Sequence, residues 1–149
     1  MKTFDFNEQL EVGDAGESDF KSYYSVLSPV KSKEYAIDFT IKNNKTVELK
    51  TDSYDMNDTE NFFMEKISDI NSGKLGGIFR AKQDNIDFFV YYFLKNKKFF
   101  WFHVPQLYDR VQEIIETKKP HLKTIKNKRW TTHGYALPRV LFEDLVLPL

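Results

Sequence analysis

The sequence predicts an α/β fold in which a central mixed β-sheet is flanked by α-helices. Three features support this prediction: two β-rich runs around a polar turn, two nearly continuous apolar runs later in the chain, and two segments with apolar residues at helical spacing. A chain of 149 residues has the size of one domain with a sizeable core, so we expect a single domain over residues 1–149.

Composition limits the class of protein. The absence of cysteine excludes a disulfide framework and a thiolate zinc site and favours a reducing cytoplasm. No apolar run reaches the roughly 18 residues of a membrane span, and the first residues lack the apolar stretch of a signal peptide, so we expect a cytoplasmic protein with no membrane partner. Residues 1–75 carry 9 basic and 15 acidic side chains, whereas residues 76–149 carry 13 and 7. This split suits an acidic half that binds a metal and a basic half that binds a nucleic-acid backbone.

The first predicted helix covers residues 14–27, after a lead-in that the pattern does not assign. Its apolar residues share one face: Phe20, Tyr23, Tyr24 and Leu27. Asp14 and Glu17 match a capping box, in which Glu17 reaches back to the helix start. Ser28-Pro29 ends the helix, since a residue before proline disfavours the α conformation.

Residues 36–41 and 46–51 predict a β-hairpin, because both runs are rich in β-branched and aromatic residues around a polar turn. A turn centred on Asn43 would place Asp38 directly opposite Glu48, with Cβ atoms about 5 Å apart. A two-residue turn would instead pair Asp38 with the next residue along, so the register decides which side chains meet.

The predicted hairpin carries two carboxylates and one ammonium: those of Asp38, Glu48 and Lys50. Glu48 and Lys50 are two residues apart and therefore share one face of the strand. If Asp38 faces Glu48, the two carboxylates repel, and either Lys50 or a divalent cation must offset the repulsion. The pattern fits a hydrolytic metal site, and it also fits a solvated hairpin face that has no such function.

The remaining elements follow in chain order. Apolar spacing and turn residues predict a short strand at 78–81, a second hairpin of strands at 85–94 and 99–104, a helix at 106–117, and a closing strand with a short helix over 134–149. The period of residues 59–68 fits neither a strand nor a helix cleanly. His103 falls in an apolar run and is expected to be a buried, hydrogen-bonded histidine.

Residues 121–133 form a basic segment. It contains cations able to neutralise phosphates and an aromatic residue able to stack on an unpaired base: Lys123, Lys126, Lys128, Arg129 and Trp130. We expect this segment to contact DNA. The alternative is a solvated loop that its tryptophan anchors to the core.

Asp38 followed by Glu48-Leu49-Lys50 resembles the D…(D/E)-x-K core of the PD-(D/E)XK nuclease superfamily, with Ile37 in place of the usual proline. Further segments are similar to a phage and plasmid branch of small nucleases: TENFFME at 59–65, GKLGG at 73–77 and IDFFVY at 86–91. The likeness covers roughly residues 13–145.

The resemblance implies a restriction-endonuclease-like core and an enzyme that hydrolyses DNA phosphodiester bonds with Mg²⁺ or Mn²⁺. By this likeness Asp38 and Glu48 hold the metal, and the carbonyl of Leu49 adds a ligand. Lys50 positions the attacking water and Glu17 supplies a further metal ligand from the first helix. If the protein is phage-encoded, it acts in the cytoplasm of the host cell.

The likeness also makes residues 59–68 a strand, with Asn61 and Glu65 at the border of the site. DNA is the expected partner, and a second copy of the chain is a candidate partner because nucleases that cut both strands often act as dimers. The alternative is a nuclease fold that has lost cleavage and serves as a nucleic-acid-binding or interaction module.

Overall fold

The structure, a computed structural model, describes residues 3–4, 6–24, 38–127 and 131–148, with the backbone alone at 3–4, 6–10 and 127. The predicted end of the first helix lies outside the described residues. So do Lys128, Arg129 and Trp130 of the basic segment.

The described residues form nine strands, three α-helices and two 3₁₀ segments in chain order. These are β1 (Thr3–Phe4), α1 (Phe6–Tyr23), β2 (Phe39–Ile41), a 3₁₀ turn (Lys42–Asn44), β3 (Lys45–Asp52), β4 (Asn61–Asp69), β5 (Lys74–Leu75), α2 (Gly77–Gln83), β6 (Phe88–Phe93), β7 (Lys98–His103), α3 (Val104–Lys118), β8 (Lys123–Asn127), β9 (Thr131–Pro138) and a 3₁₀ helix (Arg139–Leu145).

The α/β class is confirmed, but the described strands form two mixed sheets and not the single central sheet that the sequence predicts. One sheet has the order β2-β3-β6-β7 and the other β1-β8-β9-β4-β5. Strand β3 pairs in parallel with β6 after a connection through α2. Strand β4 follows the first hairpin in sequence, yet it pairs with β9 in the second sheet.

Helix α1 begins at Phe6, so the capping box at Asp14 and Glu17 is wrong, and both residues lie inside the helix. The residues before Asp14 are polar with scattered phenylalanines, a pattern that does not show the earlier start. Gly16 has a packing role, because a Cβ atom there would lie 2.8 Å from Cβ of Thr51 on β3. The close approach of helix and strand requires glycine at this position.

The predicted strand at 78–81 is also wrong, since these residues lie in helix α2. Its buried residues are Ile78, Phe79 and Ala81, a set too short to distinguish the helical from the strand period. The helix starts against β4: a Cβ atom on Gly76 would lie 2.7 Å from Oε2 of Glu65. Gly77 has a φ of 49°, which glycine adopts without strain.

The second hairpin and the following helix are confirmed. Strands β6 and β7 pair in antiparallel register, and α3 carries Pro105 in its first turn. His103 is exposed and not buried as predicted, because it lies at the end of strand β7. Its ring lies beside that of Phe88, with a centroid distance of 5.2 Å. The closing strand is confirmed as β9, which begins at Thr131, and part of the basic segment forms strand β8.

Two hydrophobic cores lie on opposite faces of the hairpin sheet. The smaller core joins α1 to one face and includes Phe20 and Val47. The larger core lies on the other face. There Phe89 and Tyr91 of β6 join residues from helices α2 and α3 and from strands β4 and β9 of the second sheet. Since neighbouring strand residues point to opposite faces, Glu48 points away from the α1 side of β3.

Candidate functional site

The register of the first hairpin is the one that a turn centred on Asn43 predicts. Phe39 pairs with Val47, and the two following pairs keep the same centre. Asn43 and Asn44 have positive φ values of 64° and 57°, which asparagine tolerates better than most residues. The alternative two-residue turn is excluded, and Asp38 directly precedes Phe39, the first residue of these pairs.

Asp38 is fixed where β2 begins. Its backbone N–H donates to the carbonyl of Val47 at 2.9 Å. Its Oδ2 accepts a hydrogen bond of 2.7 Å from the backbone N–H of Leu49. A carboxylate thus takes the place of a backbone acceptor at this step of the ladder, which holds it against β3 beside Glu48.

Glu48 lies among charged groups from three elements. Burial raises the pKa of Glu48 well above its usual range, and the carboxylates of Asp38 and Glu65 raise it further. The positive charges of Arg80 and Lys50 act in the opposite direction without cancelling the rise. The hairpin, β4 and α2 therefore bring three carboxylates and two cations into one electrostatically coupled cluster.

The two members of this cluster outside the hairpin are held by helix α2. Glu65 packs against Gly76 at the start of the helix. Arg80 forms a largely buried ion pair with Asp84, with 3.3 Å between Nε and Oδ2. Sequence reasoning missed Arg80 because its segment was assigned to a strand, although its spacing of four from Asp84 is a helical signal.

The far end of β3 carries a second buried carboxylate in a different environment. The Tyr91 hydroxyl donates to Oδ2 of Asp52 at 2.5 Å, and the Tyr54 backbone N–H donates to its Oδ1 at 2.8 Å. The same hydroxyl accepts from the backbone N–H of Phe63 at 3.0 Å. Asp52 thus connects the hairpin sheet to β4 through Tyr91. Burial and the negative charge of Asp52 together raise the pKa of Tyr91 well above its usual range.

The donor atoms of the hairpin suit a hard divalent cation. Asp38 and Glu48 offer carboxylate oxygens and Leu49 a carbonyl oxygen, and Mg²⁺ commonly binds one or two carboxylates while keeping several waters. Within the described part of the chain, no group of three or more acidic, histidine or cysteine side chains has the geometry to hold a metal ion.

Glu17 lies on helix α1, which packs on one face of β3. Phe20 of this helix stacks on Phe39 at a ring distance of 4.6 Å, and Gly16 meets Thr51. Since Glu48 alternates with Thr51 along β3, it points to the opposite face. The role of Glu17 as a metal ligand stays a prediction.

The predicted strand that borders the site is confirmed as β4. Glu65 joins the cluster around Glu48, whereas Asn61 lies four residues away on the same strand face, roughly 13 Å along β4. The described lysines of the basic segment, Lys123 and Lys126, lie exposed on β8. Only Glu65 of the two border residues therefore reaches the candidate site.

Comparison of the chain with protein-family models, with curated proteins and with solved structures finds no match. No helix in the described ranges is long and apolar enough to cross a bilayer.

Proposed function

We propose that the protein is a metal-dependent DNA endonuclease that hydrolyses phosphodiester bonds. The observation that carries this proposal is the placement of Asp38 on the hairpin: its carboxylate accepts from the Leu49 N–H of β3 and lies close enough to Glu48 to raise the pKa of that carboxyl, with Lys50 on the Glu48 face. The order of these residues in the chain is that of the D…(D/E)-x-K motif they resemble.

Each hairpin residue has a distinct role in the proposed reaction. Asp38 and Glu48 would hold Mg²⁺ or Mn²⁺, and the Leu49 carbonyl would add a further ligand. A bound divalent ion lowers the pKa of its water and offsets negative charge that develops on the phosphate. Lys50 orients the attacking water, because an ammonium beside the carboxylates can donate hydrogen bonds but cannot accept them.

Two structural features support the proposal. The clustered carboxylates of Glu48, Asp38 and Glu65 repel one another, and a bound cation would relieve that repulsion. The segments that resemble the small nucleases also form ordered elements: residues 61–65 lie in β4 and residues 88–91 in β6, which pairs in parallel with β3.

DNA contacts are proposed for the basic segment, with Lys123 and Lys126 exposed on β8 and Lys128, Arg129 and Trp130 assigned from the sequence alone. We further propose cytoplasmic action and a homodimer. Light scattering at micromolar concentration tests the dimer, and a monomeric mass would contradict it.

The second candidate is a nuclease-fold binding module that has lost cleavage. The observation that favours it is the presence of Arg80 and Lys50, whose positive charges already oppose the rise in the pKa of Glu48 without a metal ion. Nucleic-acid binding that is independent of Mg²⁺ and leads to no cutting would support the module over the enzyme.

A cleavage assay separates the two candidates. Single-stranded, duplex and branched DNA are incubated with Mg²⁺, Mn²⁺ or chelator, with wild-type protein and Glu48→Ala side by side. Metal-dependent cutting that the variant lacks supports the nuclease. Absence of cutting on every substrate by folded wild-type protein contradicts it.

A further inference from the structure

One aromatic side chain on β4 lies outside both hydrophobic cores. Phe62 and Met64 of this strand are buried in the larger core, whereas Phe63 is partly exposed and packs with neither core of the described residues. Part of the Phe63 ring is therefore accessible from solvent.

The position of the Phe63 ring depends on a glycine in the neighbouring strand. A Cβ atom on Gly134 of β9 would lie 2.5 Å from Cζ and 2.9 Å from Cε1 of Phe63, so any other residue would displace the ring. Phe63 pairs with Ala136, and its ring therefore reaches diagonally across β9 towards the Glu65–Gly134 pair. The gap left by glycine lets the ring lie over the strand.

Gly134 belongs to a row of paired residues that has a carboxylate at one end and a cation at the other. Glu65 pairs with Gly134 and Gly134 pairs with Lys123, so the three residues form one line across β4, β9 and β8. Directly paired residues share a face, and strands are about 4.8 Å apart, so the Lys123 backbone is about 10 Å from that of Glu65. Lys126 lies on the opposite face of β8, because its spacing from Lys123 is odd.

The row is joined to the candidate site through two contacts. Glu65 contributes to the raised pKa of Glu48. The backbone N–H of Phe63 donates to the hydroxyl of Tyr91, which pairs with Lys50 across β3 and β6. Glu65 thus belongs both to this row of paired residues and to the charged cluster around Glu48.

We infer that the row of Glu65, Phe63, Gly134 and Lys123 is a binding path for unpaired nucleic acid leading to the hairpin site. This inference rests on the proposed function. A base stacks on the Phe63 ring, and Lys123 neutralises a backbone phosphate farther from the site. Because a base within a continuous duplex cannot expose its face to the ring, the substrate class is a single-stranded or splayed segment.

Binding measurements in the Glu48→Gln background test the path without interference from cleavage. The probes are a labelled oligothymidylate and a labelled blunt duplex, followed by fluorescence anisotropy. Phe63→Leu should raise the Kd for the oligothymidylate roughly tenfold while changing duplex affinity little, and Phe63→Trp should restore it. Phe88→Leu, a matched change at a half-buried phenylalanine of the other sheet, should leave the Kd unchanged.

The lysine makes a separate prediction. Lys123→Ala should weaken oligothymidylate binding more than Lys126→Ala and should reduce the slope of log Kd against log salt by about one. Lys95→Ala, in the exposed turn between β6 and β7, is the matched control and should change neither quantity.

The outcomes separate this inference from the function on which it rests. If wild type cuts DNA, Glu48→Gln does not, and Phe63→Leu binds oligothymidylate as its parent does, the stacking path is wrong and the nuclease stands. An equal loss on duplex and single strand also contradicts the path. If wild type neither binds nor cuts any of these nucleic acids, both proposals fail together.

Discussion

Glu48 and Asp52 are carboxylates on the same face of β3, but they meet opposite environments. Asp52 is surrounded by donors, the hydroxyl of Tyr91 and the backbone N–H of Tyr54. Glu48 instead faces the carboxylates of Asp38 and Glu65, and burial together with this repulsion raises its pKa well above the usual range. One end of the strand satisfies its charge within the fold, and the other end leaves a charge that an added cation can satisfy.

The difference shows how one strand can serve both stability and function. A buried carboxylate with two donors stabilises the native state, because removing it would leave those donors unpaired. A carboxylate placed among like charges destabilises the free protein and is better explained by a ligand. A structural role for Asp52 and the proposed functional role for Glu48 predict different effects of substitution.

The largest effect is expected at Glu48. Glu48→Gln keeps the shape of the side chain but removes its charge, and it should lower the rate of metal-dependent DNA cleavage by about a thousandfold or more. Initial rates under saturating Mg²⁺ measure this loss, with Glu60→Gln as a control for an exposed glutamate. Cleavage by Glu48→Gln at the rate of the control would remove Glu48 from the mechanism.

Lys50→Met separates orientation of the water from metal binding. If the ammonium positions the nucleophile as proposed, cleavage should fall by about a hundredfold while Mn²⁺ affinity is kept or increased. Single-turnover rates and a Mn²⁺ titration of the same preparation measure the two quantities. A parallel loss of both would show that Lys50 holds the site together and does not act on the water.

At the other end of the strand the expected loss is in stability. Asp52→Ala leaves the Tyr91 hydroxyl and the Tyr54 N–H without their acceptor, which costs about 1–3 kcal/mol of unfolding free energy. Urea denaturation of wild type, Asp52→Ala and Tyr91→Phe measures this cost, and the folded fraction should still cleave DNA. Full stability combined with lost cleavage would reverse the roles of the two carboxylates.

The smallest effect is on the pH dependence of stability without metal. Because the pKa of Glu48 is raised on folding, the native state binds more protons than the unfolded state once the pH exceeds about 4.3, the usual value for glutamate. The contribution of this group to stability therefore falls as the pH rises towards its native pKa. Glu48→Gln lacks this loss and should melt at a higher temperature than wild type at neutral pH.

Thermal melts of both proteins between acidic and neutral pH, in chelator, measure that difference. The gap should widen with pH and should narrow when Mg²⁺ is added to wild type. A variant that melts below wild type at every pH would contradict the repulsive environment assigned to Glu48.

The hairpin could be predicted from sequence because local chemistry determines it. Two asparagines at the turn tolerate positive φ and fix the register, and alternation then places Lys50 on the Glu48 face. The apolar runs of β6 and β7 were equally clear, since both strands lie next to a core.

The other half of the site could not be predicted in this way. Glu65 reaches Glu48 only because β4 pairs with β9, a contact distant in sequence that moves β4 into a second sheet. Arg80 was not predicted to belong to the site, because the four residues 78–81 are too few for their apolar pattern to distinguish a strand from a helix. The early start of α1 was missed because the residues before Asp14 are polar with scattered phenylalanines and show no helical apolar face.

Metal binding by the hairpin is the central claim, and a Mn²⁺ titration tests it most directly. Free Mn²⁺ is followed by electron paramagnetic resonance in wild type, Glu48→Gln and the exposed control Glu60→Gln. We expect wild type and the control to bind the ion with the same affinity and Glu48→Gln to lose that binding. Binding of equal strength in all three proteins would contradict the assignment of Asp38 and Glu48 as the metal site.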